Sequence, residues 1–455
     1  MQQKYNFHCK SGVKMSSYYT NSFEIIDVNQ INKPAKITNN NLVILAILFK
    51  MLLDYAYILL FQTYFSLDVN TGSINSEKLI ISYLVTLVQF YAVPKIDNSP
   101  RICIVILLFY IMVPISTVYA LKNENTFFYL LISFLFICYE NFSYNIKIKN
   151  SVDFSFSSLI ILIFFVITII VYVKMFLLRG LPTLDAFNLA NIYEIREENA
   201  LIANKYLYYF VRYQTFIINP ISIVLCYLKN KKVGLVFFIF LQVLLFLWLG
   251  HKSAFFLVFA LIIILFLSKH KNMSEAIGTL FLLFTFLLLL FVSINPNNSF
   301  INMVLSLYVR RALFVPAVLK FNYFEYFLDN PTIGFWGTIV APLLTAAGFT
   351  NPYPTIPVAK EIGYIYTGGS YANTGLWAAE IAHFGIIGVF VTFLCLVTFD
   401  YLMKLSDIKN GKKFTIVVLF STIIGFNNGS ILDMFSISST ALSLLFLFFF
   451  TYNKQ

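Results

Sequence analysis

The chain has 455 residues, of which 59% are hydrophobic and 12% charged, with 51 Phe and a mean hydropathy of +0.79. Soluble chains carry roughly a quarter charged residues, so this one cannot present a water-facing surface and reads as an all-α integral membrane protein. The net charge of +11 does not mark a nucleic-acid binder, because the lysines and arginines fall in short gaps between apolar runs, where they orient spans.

Residues 1–40, "MQQKYNFHCK…NKPAKITNN", are polar and lack the apolar core of a signal peptide. Lys4, Lys10, Lys14, Lys33 and Lys36 place this tail in the cytoplasm. At about 20 apolar residues per span, the spacing predicts helices over 42–62, 79–94, 102–121, 126–143, 155–178, 207–228, 234–250, 253–268, 276–293, 376–399, 413–428 and 431–450. That makes about twelve transmembrane helices with both termini inside. The gaps assigned to the cytoplasm hold Lys95 and Arg101; Lys147 and Lys149; Lys229, Lys231 and Lys232; Lys269 and Lys271; and Lys404, Lys409, Lys412 and Lys413. Two external gaps are long, about 179–206 and about 294–375, and long loops on one face are where a membrane enzyme keeps its binding and catalytic groups. No internal repeat is visible, which counts against a transporter of two equivalent halves.

The first long loop contains "NIYEIREENA" (191–200), where Glu194, Glu197 and Glu198 surround Arg196. If the stretch is helical, Glu194 and Glu198 share a face and Arg196 turns away from them. The other reading is a solvated turn lying on the membrane. Arg179, Arg196, Arg310 and Arg311 lie in external gaps, and Arg212 lies about a turn and a half inside the next helix. A guanidinium grips phosphate or carboxylate with two parallel hydrogen bonds, so these residues point to an anionic ligand. Snorkelling to headgroups is the alternative, weakest for Arg212, since charge within a membrane is costly and seldom idle. After "LWLG", Lys252 either joins the anionic site or faces water.

The segment "YVRRALFVPAVLKFNYFEYF" (308–327) reads as a helix in or near the interface, bent or ended at Pro316. Arg310 and Arg311 are adjacent and cannot share a face, so one of them reaches a common site; a surface-anchoring helix is the alternative. In "YANTGLWAAEIAHFGIIGVF" (371–390), Glu380 and His383 are three apart on a predicted helix and share a face. They suit base catalysis on a hydroxyl, with Glu380 orienting the ring or stabilising its positive form; a structural pair joining two helices is the alternative. Lys50 and Asp54, four apart in the first helix, are expected to neutralise each other. Cys9, Cys103, Cys138, Cys226 and Cys395 form no CxxC pair, and no metal spacing, P-loop, dinucleotide fingerprint or nucleophile elbow is present. An enzyme of this sequence is expected to work without metal or cofactor.

At "IYEIREENA", "RRALFVPAVLKFNYFEYF" and "ANTGLWAAEIAHFGIIGVF" the chain resembles bacterial oligosaccharide repeat-unit polymerases, the O-antigen polymerase (Wzy-like) family. "LGHKSAF" is similar to a Gly-X-Lys/Arg-Ser turn often seen in that family. The resemblance implies a GT-C-like helical glycosyltransferase in the bacterial inner membrane, metal-independent, with its site facing the periplasm. Its substrates would be oligosaccharides on undecaprenyl diphosphate, and its partners membrane lipids, a chain-length regulator and a flippase, with no nucleic acid. Carried over residue by residue, Arg196, Arg310 or Arg311, and Arg212 would bind the diphosphate, and Glu380 falls at the matched acidic position. Arg179, Lys252 and Glu194 are grouped with the same binding set, while His383 as base follows from its spacing alone. Leu207 and Phe321 stand where some members carry a glycine eleven residues after each loop arginine, which removes the basis for a two-site catch-and-release scheme. A flippase for the same lipid-linked unit and an O-antigen ligase are the competing readings.

Overall fold

The structure, a computed structural model, describes residues 39–61, 74–145, 156–183, 186, 195, 205–336, 341–353, 356–369, 371–435 and 439–451. Every regular element among them is helical, and all belong to the unit Lys36–Gln455. In chain order they are α1 (Asn40–Ala56), α2 (Ser76–Ala92), α3 (Ser99–Leu121), α4 (Thr126–Asn145), α5 (Ser157–Arg179), α6 (Leu207–Leu228), α7 (Lys232–Leu249) and α8 (Lys252–Leu267). They continue with α9 (Met273–Ile294), α10 (Ser299–Asp329), α11 (Ala341–Ala346), α12 (Val358–Tyr366), α13 (Ala378–Phe384), α14 (Ile387–Asn410), α15 (Lys412–Gly425) and α16 (Ser439–Phe449). Among the described residues, 9 helices are long and apolar enough to cross a membrane: α1 with the turn that follows it, α3 to α7, α9, α10 and α14. This is the architecture of a multi-pass membrane protein. The span of α3 is wholly buried while 11% of the α5 span is, so α3 is the central post and α5 stands at the lipid-facing edge.

The prediction of one helix over 376–399 fails at Gly385, which takes φ +60 and separates α13 from α14. The segment 431–450 divides as well, into a 3-10 turn, Ile431–Phe435, and the 11 residues of α16. The gap 294–375, expected to be an external loop, is no plain loop, because it holds α10, 31 residues long. Nor does Pro316 end that helix. Its ring contacts run from Phe284 of α9 to Tyr308, from Tyr57 past the end of α1 to Phe314, and from Phe128 at the start of α4 to Phe321 and Phe324. The second half of α10 thus packs against the end of α1 and the start of α4.

Three helices continue through a proline by the same device. A π turn, Leu108–Met112, Gln214–Ile218 or Ser306–Phe314, ends two residues before Pro114, Pro220 or Pro316. Proline offers no N–H to the carbonyl four residues back and crowds it, and a wider turn relieves the clash. Within a membrane the freed carbonyl must find another donor. For Pro316 that carbonyl belongs to Ala312, and the Asn427 side-chain amide donates to it at 2.8 Å. Asn427 Oδ1 in turn accepts from the fully buried Lys320 Nζ at 3.0 Å, which also donates to the Pro316 carbonyl at 3.2 Å. Asn427→Leu strips both partners and is expected to cost about 1–3 kcal/mol, read as a lower thermal midpoint in detergent. An unchanged midpoint would show that Lys320 and Ala312 are satisfied elsewhere.

The expected pairing of Lys50 with Asp54 is present, at 3.0 Å. The Asp54 carboxylate also accepts from Tyr83 Oη and Thr117 Oγ1, each at 2.8 Å. Three helices thus share one neutral polar centre, which is how a charged pair is held inside an apolar bundle.

Candidate functional site

α13 is seven residues long and would not persist alone. It is held from both ends. Trp377 precedes it, fully buried and at φ +78, a conformation that is unusual for a bulky residue. The Trp377 N–H donates to Glu380 Oε2 at 3.1 Å, the backward reach of an N3 carboxylate that forms one half of a capping box. The same carboxylate accepts from Thr392 Oγ1 of α14 at 3.3 Å, from Ser430 Oγ at 2.6 Å and from the Ile431 N–H at 2.9 Å. Glycines allow the close approach this needs. A Cβ at Gly388 would sit 2.1 Å from the Glu380 carbonyl oxygen, and one at Gly375 would sit 2.1 Å from that of Phe426.

Glu380 does not orient the ring as expected, although the charge of His383 does act on it. It does share a helix with His383, but it is fully buried, its hydrogen bonds go to Trp377, Thr392, Ser430 and Ile431, and its charge acts on the buried Lys320. It joins α13, α14 and the 430–431 turn. The group that orients the imidazole is the Gly334 carbonyl, 2.6 Å from His383 Nδ1. A carbonyl only accepts, so Nδ1 carries the hydrogen and the neutral ring has its lone pair on Nε2. Backbone bonds fix this register: the Ile333 N–H donates to Ala382 at 2.7 Å and the Gly334 N–H to His383 at 2.8 Å. Gly334 needs its φ of +60 to make that turn.

The imidazole has an acidic neighbour, Asp433, in the turn Ile431–Phe435. Burial raises the Asp433 carboxyl above its ordinary value, and the charges of Arg212 and His383 oppose that rise. Arg212 of α6 and His383 of α13 thus both act on Asp433 of the 431–435 turn, so three separate stretches meet at one carboxylate. Sequence reasoning singled out Arg212 and His383 and missed Asp433. The available signal was a lone carboxylate in "GSILDMF", inside a segment expected to span the membrane. Lys320 was missed in the same way, hidden among the aromatic residues of α10.

The remaining candidates are placed less centrally. Arg179 Nη2 donates to the Ile195 carbonyl at 3.2 Å, and Ile195 packs with Ala186, Phe246 and Ala254. Arg179 therefore holds Ile195 at the corner between α7 and α8, where Lys252 begins α8. Arg310 is half-buried and Arg311 exposed, so the adjacent pair does face different surroundings, on the π turn of α10. Glu194, Arg196, Glu197 and Glu198 lie outside the described residues. No group of three or more His, Cys, Asp or Glu among the described residues is placed to hold a metal ion. Comparison with known protein families, with curated proteins and with solved structures finds no match for this chain.

Because Arg212 opposes the rise of Asp433, Arg212→Ala is expected to push the Asp433 carboxyl still higher. A carboxylate raised in the folded state loses stability as pH climbs through its folded value, and it is ionised over a narrower range. Any activity needing ionised Asp433 should then show its acid limb moved to higher pH. Superimposable pH profiles for the wild type and Arg212→Ala would uncouple the two residues.

Proposed function

We propose that the protein polymerises undecaprenyl-diphosphate-linked oligosaccharide repeat units into O-antigen or a similar surface polysaccharide. The observation that supports this best is the grouping of a base, a carboxylate and an arginine: His383 with Nε2 left as acceptor, Asp433, and Arg212. In this reading the hydroxyl of an acceptor repeat unit attacks the anomeric carbon of the donor chain. The bond from that carbon to the diphosphate oxygen breaks, the hydroxyl proton passes to His383 Nε2, and the diphosphate leaves with its charge increased. Asp433 stabilises the imidazolium so formed. Arg212, with Arg196 and one of Arg310 and Arg311, offsets the developing charge on the leaving group, where preorganised donors in a poorly hydrated cleft act most strongly. The products are a longer glycan on the acceptor lipid and free undecaprenyl diphosphate.

The same proposal places the chain in the bacterial inner membrane with both termini cytoplasmic, about twelve spans, and the Arg212 end facing the periplasm. Flippase and chain-length regulator would be its functional partners. The deciding experiment is a gel of surface glycan from cells lacking the gene, with and without the restored wild-type copy. A ladder that collapses to core plus one repeat unit supports polymerisation, because transport and ligation must still operate. Loss of all capped core with long polymer left on the carrier lipid would make the protein a ligase, and single units trapped on the cytoplasmic side would make it a flippase.

A further inference from the structure

α6 carries Arg212 two residues before its π turn, Gln214–Ile218, and that turn is held by groups from four helices. At its end the Asn219 N–H bonds five residues back, to the Gln214 carbonyl. The Thr215 carbonyl thereby loses the donor it would have in an α-helix, and the next residue, Pro220, has no N–H to offer. Gln242 of α7 supplies a donor: its Nε2 reaches the Thr215 carbonyl at 3.1 Å. The same amide donates to the Ala254 carbonyl of α8 at 3.1 Å and accepts from Asn219 Nδ2 at 2.9 Å. Asn219 in turn accepts from Gln214 Nε2 at 2.7 Å and donates to Tyr172 Oη of α5 at 2.9 Å. Gln214, Asn219 and Gln242 are all buried.

A π turn takes up one residue more than the α turn it replaces. Without it, every residue on the Arg212 side would stand one position back, about 100° round the helix and about 1.5 Å along it. Arg212, which is exposed, would then occupy the place of Val211. That place is 7% exposed and packs against Val171, Met175, Leu245, Trp248 and Leu249 of α5 and α7. A guanidinium in that apolar cluster would be costly. We propose that the π turn of α6 is a register device that keeps Arg212 on the exposed face, with Pro220 and Gln242 as its positioning residues. The proline disfavours the α register, and the glutamine satisfies the carbonyl that the π register strips. The exposed face is the one from which the Arg212 charge reaches Asp433. Its use in glycan transfer rests on the polymerase reading; the register itself does not.

The test introduces Val211→Cys or Arg212→Cys, one at a time, into the full-length protein in detergent. N-ethylmaleimide addition is counted over the same background without the new thiol. With the native turn, position 212 should label fast and position 211 slowly, since buried thiols are inert. In P220A/Q242L the α register is freed, so labelling at 212 should fall about tenfold or more. Position 211, moved to the place of Phe210, which is 36% exposed, should gain reactivity. Deleting Phe216 from that variant removes the extra residue and should restore the wild-type pattern on an unbulged helix. An unchanged pattern in P220A/Q242L would overturn the proposal, as would a changed pattern that the deletion does not reverse. If P220A/Q242L does not fold, the deletion variant still decides: it should fold and label at 212 rather than 211, and any other outcome overturns the register. Surface glycan is read separately. Wild-type polymer from P220A/Q242L with the swapped pattern would uphold the register and remove Arg212 from the polymerase reading.

Discussion

Glu380→Ala is expected to destabilise the protein by about 3–5 kcal/mol, the scale for removing one partner from a buried charged network. The carboxylate is fully buried and accepts from Trp377, Thr392, Ser430 and Ile431. Its loss leaves two backbone N–H groups and the Ser430 hydroxyl short of their acceptor, each costly when buried, while Thr392 keeps the Gly388 carbonyl at 2.9 Å. The substitution also strips the opposing charge from Lys320, whose ammonium has no exposure to water. Glu380→Gln should recover only part of the loss, because an amide nitrogen would face donors. Gly388→Ala probes the same joint from its other side, by driving a methyl group into the Glu380 carbonyl, and should be comparably unstable. The measurement is thermal unfolding of purified protein in detergent, with far-UV helicity as a control. A Glu380→Ala protein with a wild-type midpoint but no polymer would return Glu380 to the chemistry.

His383→Asn is expected to slow chain extension by about 10²–10⁴-fold, the usual loss when a positioned base is removed, while leaving stability nearly intact. Asparagine places its side-chain nitrogen close to where Nδ1 lies, so the bond to the Gly334 carbonyl can persist while the Nε2 acceptor disappears. Rates of single-unit addition between about pH 6 and 8 are the readout. Wild-type rates and pH dependence in His383→Asn would remove His383 as the base. The separation between the two variants matters: Glu380→Ala should fail in the folding assay, and His383→Asn only in the kinetic one.

What the sequence determined by itself is whatever depends on near neighbours in the chain. Long apolar runs must be helices in a bilayer, because only a helix satisfies its own backbone there, and each of the twelve predicted segments does contain helix. Lys50 and Asp54 were legible as a pair because four residues on a helix set the distance between them. The greater burial of Arg310 over Arg311 followed from adjacent residues facing different ways. The effect of Pro316 was local as well: of the two expected outcomes, an end to the helix did not occur, and a π turn accommodates the proline.

What only the tertiary structure decided rests on groups remote in sequence. The break at Gly385 comes from the fit of Gly388 against Glu380 and of Gly375 against Phe426, which periodicity cannot register. Glu380 looked like the natural partner of His383 because a helix puts them on one face, yet Ser430, Ile431 and Thr392 compete for its oxygens and take them. His383 is oriented instead by Gly334, 49 positions away, while Asp433 joins Glu380 as a carboxylate on which its charge acts. Hydropathy reports the cost of placing a residue in lipid, whereas a site is defined by which buried polar groups find one another, and that is settled only when the helices pack.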